Sequence, residues 1–346
     1  MRARLAFLAT PIVAALIGLA IGVGIAALLG APPGRFVALL LGQTLGSGYG
    51  FGQVLFRATP LIFTGLAVVL PFRAGFFNIG AEGQMAVGGF AMALAGIHLH
   101  ALPGPWLWIA CVVAAALAGG AWGAIAGALK ARTGAHEVIV TILLNFIAAA
   151  LINYVLNRWY ALPETVRTAE IGAGAWMPRA SAAIPFFRGS GLSVAFVFAL
   201  AVAAGCDLLL LRTSLGFALR ILAGGPRRAR YARLSPSRLT VVALSGGGAL
   251  AGLAGASYIL GYKHYFEEGF TGGAGFIGIA VALLARNRPA AVPASALLFG
   301  ILSQGGLAVN EIVPREIVDL VVAIILFMYI VLDSKAREGT WRWISS

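Results

Sequence analysis

Residues Ala58–Phe90 read ATPLIFTGLAVVLPFRAGFFNIGAEGQMAVGGF. An apolar run ends near Phe72 and another begins near Met85. Between them, RAGFFNIGAEGQ sets Asn78, Glu82 and Gln84 among Gly75, Gly80 and Gly83. A second stretch of this kind, GFTGGAGFIGIAVALLARNRP (Gly269–Pro289), leads into an apolar run about half the ~20 residues a membrane helix needs. Interrupted apolar segments in corresponding halves of a chain are a sequence pointer to a transport path. A broken helix presents free N–H and C=O groups near the bilayer midplane.

The rest of the chain agrees that the solvent is lipid. Of 346 residues, 60% are hydrophobic and 11% charged, with mean hydropathy +0.93. A water-soluble domain carries about 25% charged residues, and no soluble interior would hide this apolar surplus. Apolar stretches fall near 5–30, 54–72, 84–99, 106–129, 138–157, 192–211, 239–260, 275–285, 291–309 and 316–332. The expected fold is therefore all-α and polytopic, a single transmembrane domain over 1–346 with about ten helices and a broken or re-entrant segment in each half. The run 5–30 is longer than the 7–15 residues of a cleavable signal core, so it is read as the first helix. Gly119, Gly120, Gly123 and Gly127, and Gly246, Gly247, Gly248, Gly252 and Gly255, read as close helix packing.

Lys and Arg number 25 against 12 Asp and Glu. Nucleic acid is one possible partner for such a surplus, but cytoplasmic loops of membrane proteins collect Lys and Arg. With the N-terminus in the cytoplasm, seventeen of the 25 fall in inner loops, among them Arg73, Lys130, Arg132 and Arg227. Both termini are then cytoplasmic and no nucleic-acid role is needed. The loop 158–191, rich in Trp and Pro, is external and reads as an interfacial platform. The inner loop 212–238, RTSLGFALRILAGGPRRARYARLSPSR, is the most basic segment, and its length far exceeds the 2–8 residues of a minimal helix connection. A loop of this length must be used by some partner, for which lipid headgroups are the bland alternative.

The chain has no Gly-Lys pair and hence no phosphate-binding loop, so ATP is not expected to bind this chain. His98 and His100 are two apart, a spacing that does not converge on one helix face, and no metal or cofactor is expected. Catalytic residues are not expected either, because no paired acid, base or nucleophile sits in a span. Few carboxylates lie deep in the spans, which disfavours an ion-coupled transporter. Glu82 is the intramembrane ionisable group to test. Phe76, Phe77, Asn78, Glu82 and Gln84, with Asn145 of GAHEVIVTILLNFIA (Gly134–Ala148), are the candidate lining of a solute path: aromatic area for stacking and amides for hydrogen bonding.

These motifs, with SGGGALAGLAGA (Ser245–Ala256), resemble membrane permeases of ATP-driven (ABC) importers, the group containing simple-sugar, branched-chain amino-acid and nucleoside permeases. FNIGAEGQ and the segment with Asn145 are most similar to the nucleoside branch. The resemblance covers about Phe56–Leu332. It implies a bacterial inner-membrane subunit that moves a small solute by alternating access, paired with a second homologous permease. A cytoplasmic ATPase subunit and a periplasmic or lipid-anchored solute-binding protein would complete the assembly. It also implies that Arg220, Gly224, Pro226, Arg227, Arg228, Ala229 and Tyr231 form a coupling segment that docks into the ATPase. Ala223 and Arg233 stand where that pattern has glycines, and Ile277 where an Asp is common. A simple-sugar or branched-chain amino-acid solute is the alternative.

Overall fold

The computed structural model describes residues 19–314 without a break, together with 13, 16, 17, 320, 321, 323, 324, 327, 328, 331 and 332. Most of the expected span 316–332, and the start of 5–30, lie outside the described residues. Among the described residues the secondary structure is helical. Two isolated antiparallel bridges, Arg167 with Glu267 and Arg179 with Ser193, form outside any strand.

The helices are α1 (Leu19–Leu28), α2 (Pro33–Gly42), α3 (Gly48–Phe72), α4 (Ala81–His98), α5 (Gly104–Thr133) and α6 (Glu137–Val155). They continue with α7 (Ala180–Ala183), α8 (Ala195–Arg212), α9 (Ser214–Ala223), α10 (Pro226–Tyr231), α11 (Pro236–Gly252), α12 (Ala274–Leu284) and α13 (Val292–Val309). Six helical stretches are long and apolar enough to cross a membrane: α3, α5, α6 with its π-turn to Tyr160, α8, α11 with its continuation to Lys263, and Pro289–Val309. Ten full-length crossings are therefore not reproduced among the described residues. α1, α2, α9 and α12 are short apolar helices, and α4 carries Glu82, Gln84 and four glycines that lower its hydropathy. Backbone that does not span alone is tolerated at membrane depth where protein surrounds it, and most of α4 is buried.

The chain divides into two compact units. In the first, the described parts of Met1–Val54 and Leu298–Ser346, the core joins Ala26, Phe36 and Leu40 to Val309 and Val313. An exposed ion pair, Arg35 to Glu311 at 2.7 Å, ties its surface.

The second unit, Leu55–Leu297, holds both interrupted segments. The part of α3 in this unit is nearly all buried, whereas only a minority of residues of α6 and α8 are buried, as in helices that face lipid. α4, α5 and α11 pack on one another through glycine: a Cβ on Gly88 would stand 2.3 Å from the Gly252 Cα, and one on Gly119 would stand 2.4 Å from the Gly248 carbonyl oxygen.

Each end of this unit is built from its own loops. At one end the 158–191 loop is stitched to the others by backbone bonds: Thr168 N to Phe266 O, Ile171 N to His264 O, Gly172 N to Gly96 O and Met177 N to Leu260 O. Ile171, Ala175 and Met177 of this loop are buried. At the other end, α5 stops where Gly134 turns left-handed (φ 74°) and donates to the Lys130 carbonyl. Lys130 then pairs with Glu137 at 2.9 Å, which fixes the start of α6. The basic loop at this end is itself helical. Thr213 caps α9 through Gly216 N, Pro226 opens α10 and Ser235 caps α11 through Arg238 N.

Candidate functional site

The first interrupted segment runs from the end of α3 to the start of α4. Gly75 adopts φ 88°, which bends the chain away from the helix. The segment then depends on side-chain amides, because its backbone groups lie outside any helix ladder and lipid offers them no partner. Asn78, fully buried, donates from Nδ2 to the Ala67 carbonyl (3.2 Å) and to Gln84 Oε1 (2.9 Å). Its Oδ1 accepts from Gly80 N (3.0 Å) and from Gln84 Nε2 (3.2 Å). Asn145 of α6 reaches across to the same turn: Oδ1 accepts from Gly83 N (2.9 Å) and Nδ2 donates to the Ile79 carbonyl (3.0 Å). Asn78 and Gln84 thus pair with each other while Asn145 holds the backbone of the same turn, and all three are buried.

Phe76 and Phe77 flank this group and are half-buried. Phe76 packs against the cluster of Ala126, Leu144 and Leu244. Phe77 meets Phe72 edge-on, with ring centroids 6.3 Å apart.

The second interrupted segment is α12. Eleven residues give a helix of about 16 Å, roughly half the hydrocarbon thickness. Its start is made by glycine, with Gly269, Gly272 and Gly273 at φ 74°, 52° and 80°. Its N-cap, Gly273, supplies no side chain. The free amides of its first turn are met instead by Glu82, which is about 190 residues distant in sequence: Oε1 accepts from Gly273 N at 3.1 Å and Oε2 from Gly275 N at 2.7 Å. A carboxylate there also opposes the positive end of the helix dipole. Glu82 therefore caps the interrupted helix of the other half rather than its own.

The far end of α12 turns through Arg286 and Asn287, both at positive φ, and the Asn287 carbonyl accepts from Arg73 Nε at 2.8 Å. Sequence reasoning placed Arg73 only as an inner-loop charge. The absence of a capping side chain at the start of this short apolar helix was the signal that a distant one was required, whereas its far end is closed locally by Arg286 N to Leu283 O and Asn287 N to Ala282 O.

The basic loop packs against the first segment. A Cβ on Gly75 would lie 3.2 Å from the Ala223 Cα at the end of α9. A cavity of about 410 Å³ opens beside this contact, lined by Gly75, Phe76, Lys130, Glu137, Pro226 and Arg230 among others. The Arg220 guanidinium of the loop donates to the Leu210 carbonyl of α8. Ala229 is fully buried, Arg227 and Arg228 are exposed, and Tyr231 is 90% exposed.

Membrane-length helices, two interrupted segments joined within the protein and an ordered basic loop are the features of a polytopic membrane protein. Residues 50–331 match the family described as "Branched-chain amino acid transport system / permease component". The chain belongs to that family, the permease subunits of ABC transporters. It is 37% identical over 330 residues to the guanosine ABC transporter permease protein NupP of Bacillus subtilis, covering 93% of each chain. A glucose ABC transporter permease of Haloferax volcanii is 32% identical over 331 residues, 93% of this chain and 86% of that one. The nucleoside ABC transporter permease protein NupB of Lactococcus lactis is 31% identical over 330 residues, 92% and 89% respectively.

Proposed function

We propose that this permease moves a nucleoside-like solute inward by alternating access, driven by ATP hydrolysis on a separate cytoplasmic subunit. The observation that carries the reading is similarity along nearly the whole chain to permeases named for guanosine and for nucleosides. The path runs beside the two interrupted segments, with Phe76 and Phe77 along it and the amides of Asn78, Gln84 and Asn145 holding its wall. An uncharged, flat solute fits a wall in which the carboxylate is already committed to two backbone amides and Phe76 and Phe77 offer half-buried aromatic area. A second homologous permease and a periplasmic or lipid-anchored binding protein complete the assembly, in a bacterial inner membrane. The glucose permease relative supports a sugar as the second reading.

Uptake of tritiated guanosine by cells expressing the assembled transporter tests the solute. An excess of unlabelled uridine or adenosine should suppress it by tenfold or more, and an equal excess of glucose should leave it unchanged. Suppression by glucose alone would transfer the assignment to sugars.

The sidedness follows the positive-inside bias, with both termini and the 212–238 loop cytoplasmic and the 158–191 loop external. Ala173 and Ser237 are exposed at opposite ends of the second unit, and the two native cysteines, Cys111 and Cys206, are buried. In intact cells an impermeant maleimide should label Ala173→Cys and spare Ser237→Cys. The opposite pattern would invert the topology.

A further inference from the structure

We propose that Glu82 and Arg73 are positioning residues for transport: they clamp α12 at its two ends onto the first interrupted segment, so that both segments move as one body. The inference rests on the reading of this chain as the permease of an ATP-driven importer, and it concerns how motion reaches the middle of the membrane. Three bonds carry the clamp. Glu82 takes the Gly273 and Gly275 amides at the start of α12, and Arg73 holds the Asn287 carbonyl just past its end. Each charge has the sign that suits its end of the helix dipole. Only nine positions separate Arg73 from Glu82, so one short segment grips the full length of α12.

Packing removes the freedom to slide. The Thr64 hydroxyl of α3 donates to the Ala274 carbonyl at 3.0 Å. A Cβ on Gly275 would stand 2.3 Å from Glu82 N, one on Gly278 2.6 Å from Thr64 Oγ1, and one on Gly65 2.9 Å from the Val281 side chain. The gripping segment is in turn touched by the basic loop, through Ala223 at Gly75. A displacement of α9 therefore meets residues 73–77 first. The clamp passes it to α12, which by itself is too short to reach the membrane surface on both sides.

Two variants separate this role from simple folding. Glu82→Gln replaces one acceptor oxygen by an NH2 group facing a backbone N–H, and Arg73→Ala removes the other grip. In the assembled transporter at equal membrane amount, each should lower guanosine uptake by tenfold or more while ATP hydrolysis stays within twofold of the parent. Arg73→Lys, which keeps a cationic donor, should recover at least part of the uptake. A fall of uptake and hydrolysis in the same proportion, or uptake unchanged in both variants, would overturn the clamp.

Spin labels at Phe276→Cys on α12 and Leu99→Cys just beyond α4, both exposed positions, give an arm that needs no solute. Their separation should be the same in the nucleotide-free and ATP-trapped parent, and should spread or shift in Arg73→Ala. A shift already present in the parent would show that α12 moves independently. If the parent takes up no guanosine, the nucleoside reading falls while this distance measurement still decides the clamp.

Discussion

Gly248→Ala should remove most of the folded protein from the membrane. A Cβ at this position would stand 2.2 Å from the Gly119 carbonyl oxygen and 3.0 Å from its carbon. Both are backbone atoms in the middle of α5, so no rotamer change relieves the overlap and the two helices must separate. Separation also opens the neighbouring contacts, because a Cβ on Gly252 would already be 2.3 Å from the Ala115 carbonyl oxygen. Overpacking costs about 1–3 kcal/mol and occasionally more, and in lipid there is no hydrophobic force between helices to offset it. A loss of about 2 kcal/mol lowers the folded ratio by roughly 30-fold. Gly205→Ala is the control, since nothing lies within 4 Å of a Cβ there. Thermal unfolding in detergent should show a large drop for Gly248→Ala and none for Gly205→Ala. Equal unfolding temperatures would refute the account of this interface.

Reversing both exposed arginines of α10, Arg227→Glu with Arg228→Glu, or truncating Tyr231→Ala, should cut uptake and transport-coupled ATP hydrolysis together by tenfold or more. Tyr231 projects from α10 with 90% of its surface exposed, while Ala229 on the same short helix is fully buried. The helix is thus anchored to its own chain by one face and free on the other. Aromatic and arginine side chains dominate binding hot spots, each costing about 2 kcal/mol or more on truncation. The segment's own fold should survive, because Arg220 and the Thr213 and Ser235 caps remain in place. Membrane levels equal to the parent with uptake lost are the expected result. Full uptake would leave lipid headgroups as the partner of these charges, at about 1 kcal/mol per basic side chain. The contrast with the clamp variants is diagnostic: a docking defect lowers hydrolysis and uptake, and a clamp defect lowers uptake alone.

The amino-acid sequence by itself determined that the chain is helical and lives in lipid, because 60% apolar residues in long runs admit no other solvent. It also located the two interrupted segments, since Gly75, Gly80 and Gly83 and the run Gly269–Gly275 visibly break apolar periodicity. The glycine stripes of 119–127 and 246–255 read as packing, and they pack on one another. What each polar residue in the interrupted segments does was decided only by the tertiary structure. Asn78, Gln84 and Asn145 looked alike as free amides, yet Asn78 and Gln84 pair with each other, Asn78 also holds the Ala67 carbonyl and Gly80 N, and Asn145 holds Gly83 N and the Ile79 carbonyl. Glu82 read as part of the lining of a solute path. In the structure its carboxylate sits on an N-terminus about 190 residues away. Local pattern reports which groups a segment leaves unsatisfied. The partner that satisfies them is set by which helices the fold brings together, and at membrane depth, where water cannot serve, that partner must come from elsewhere in the chain.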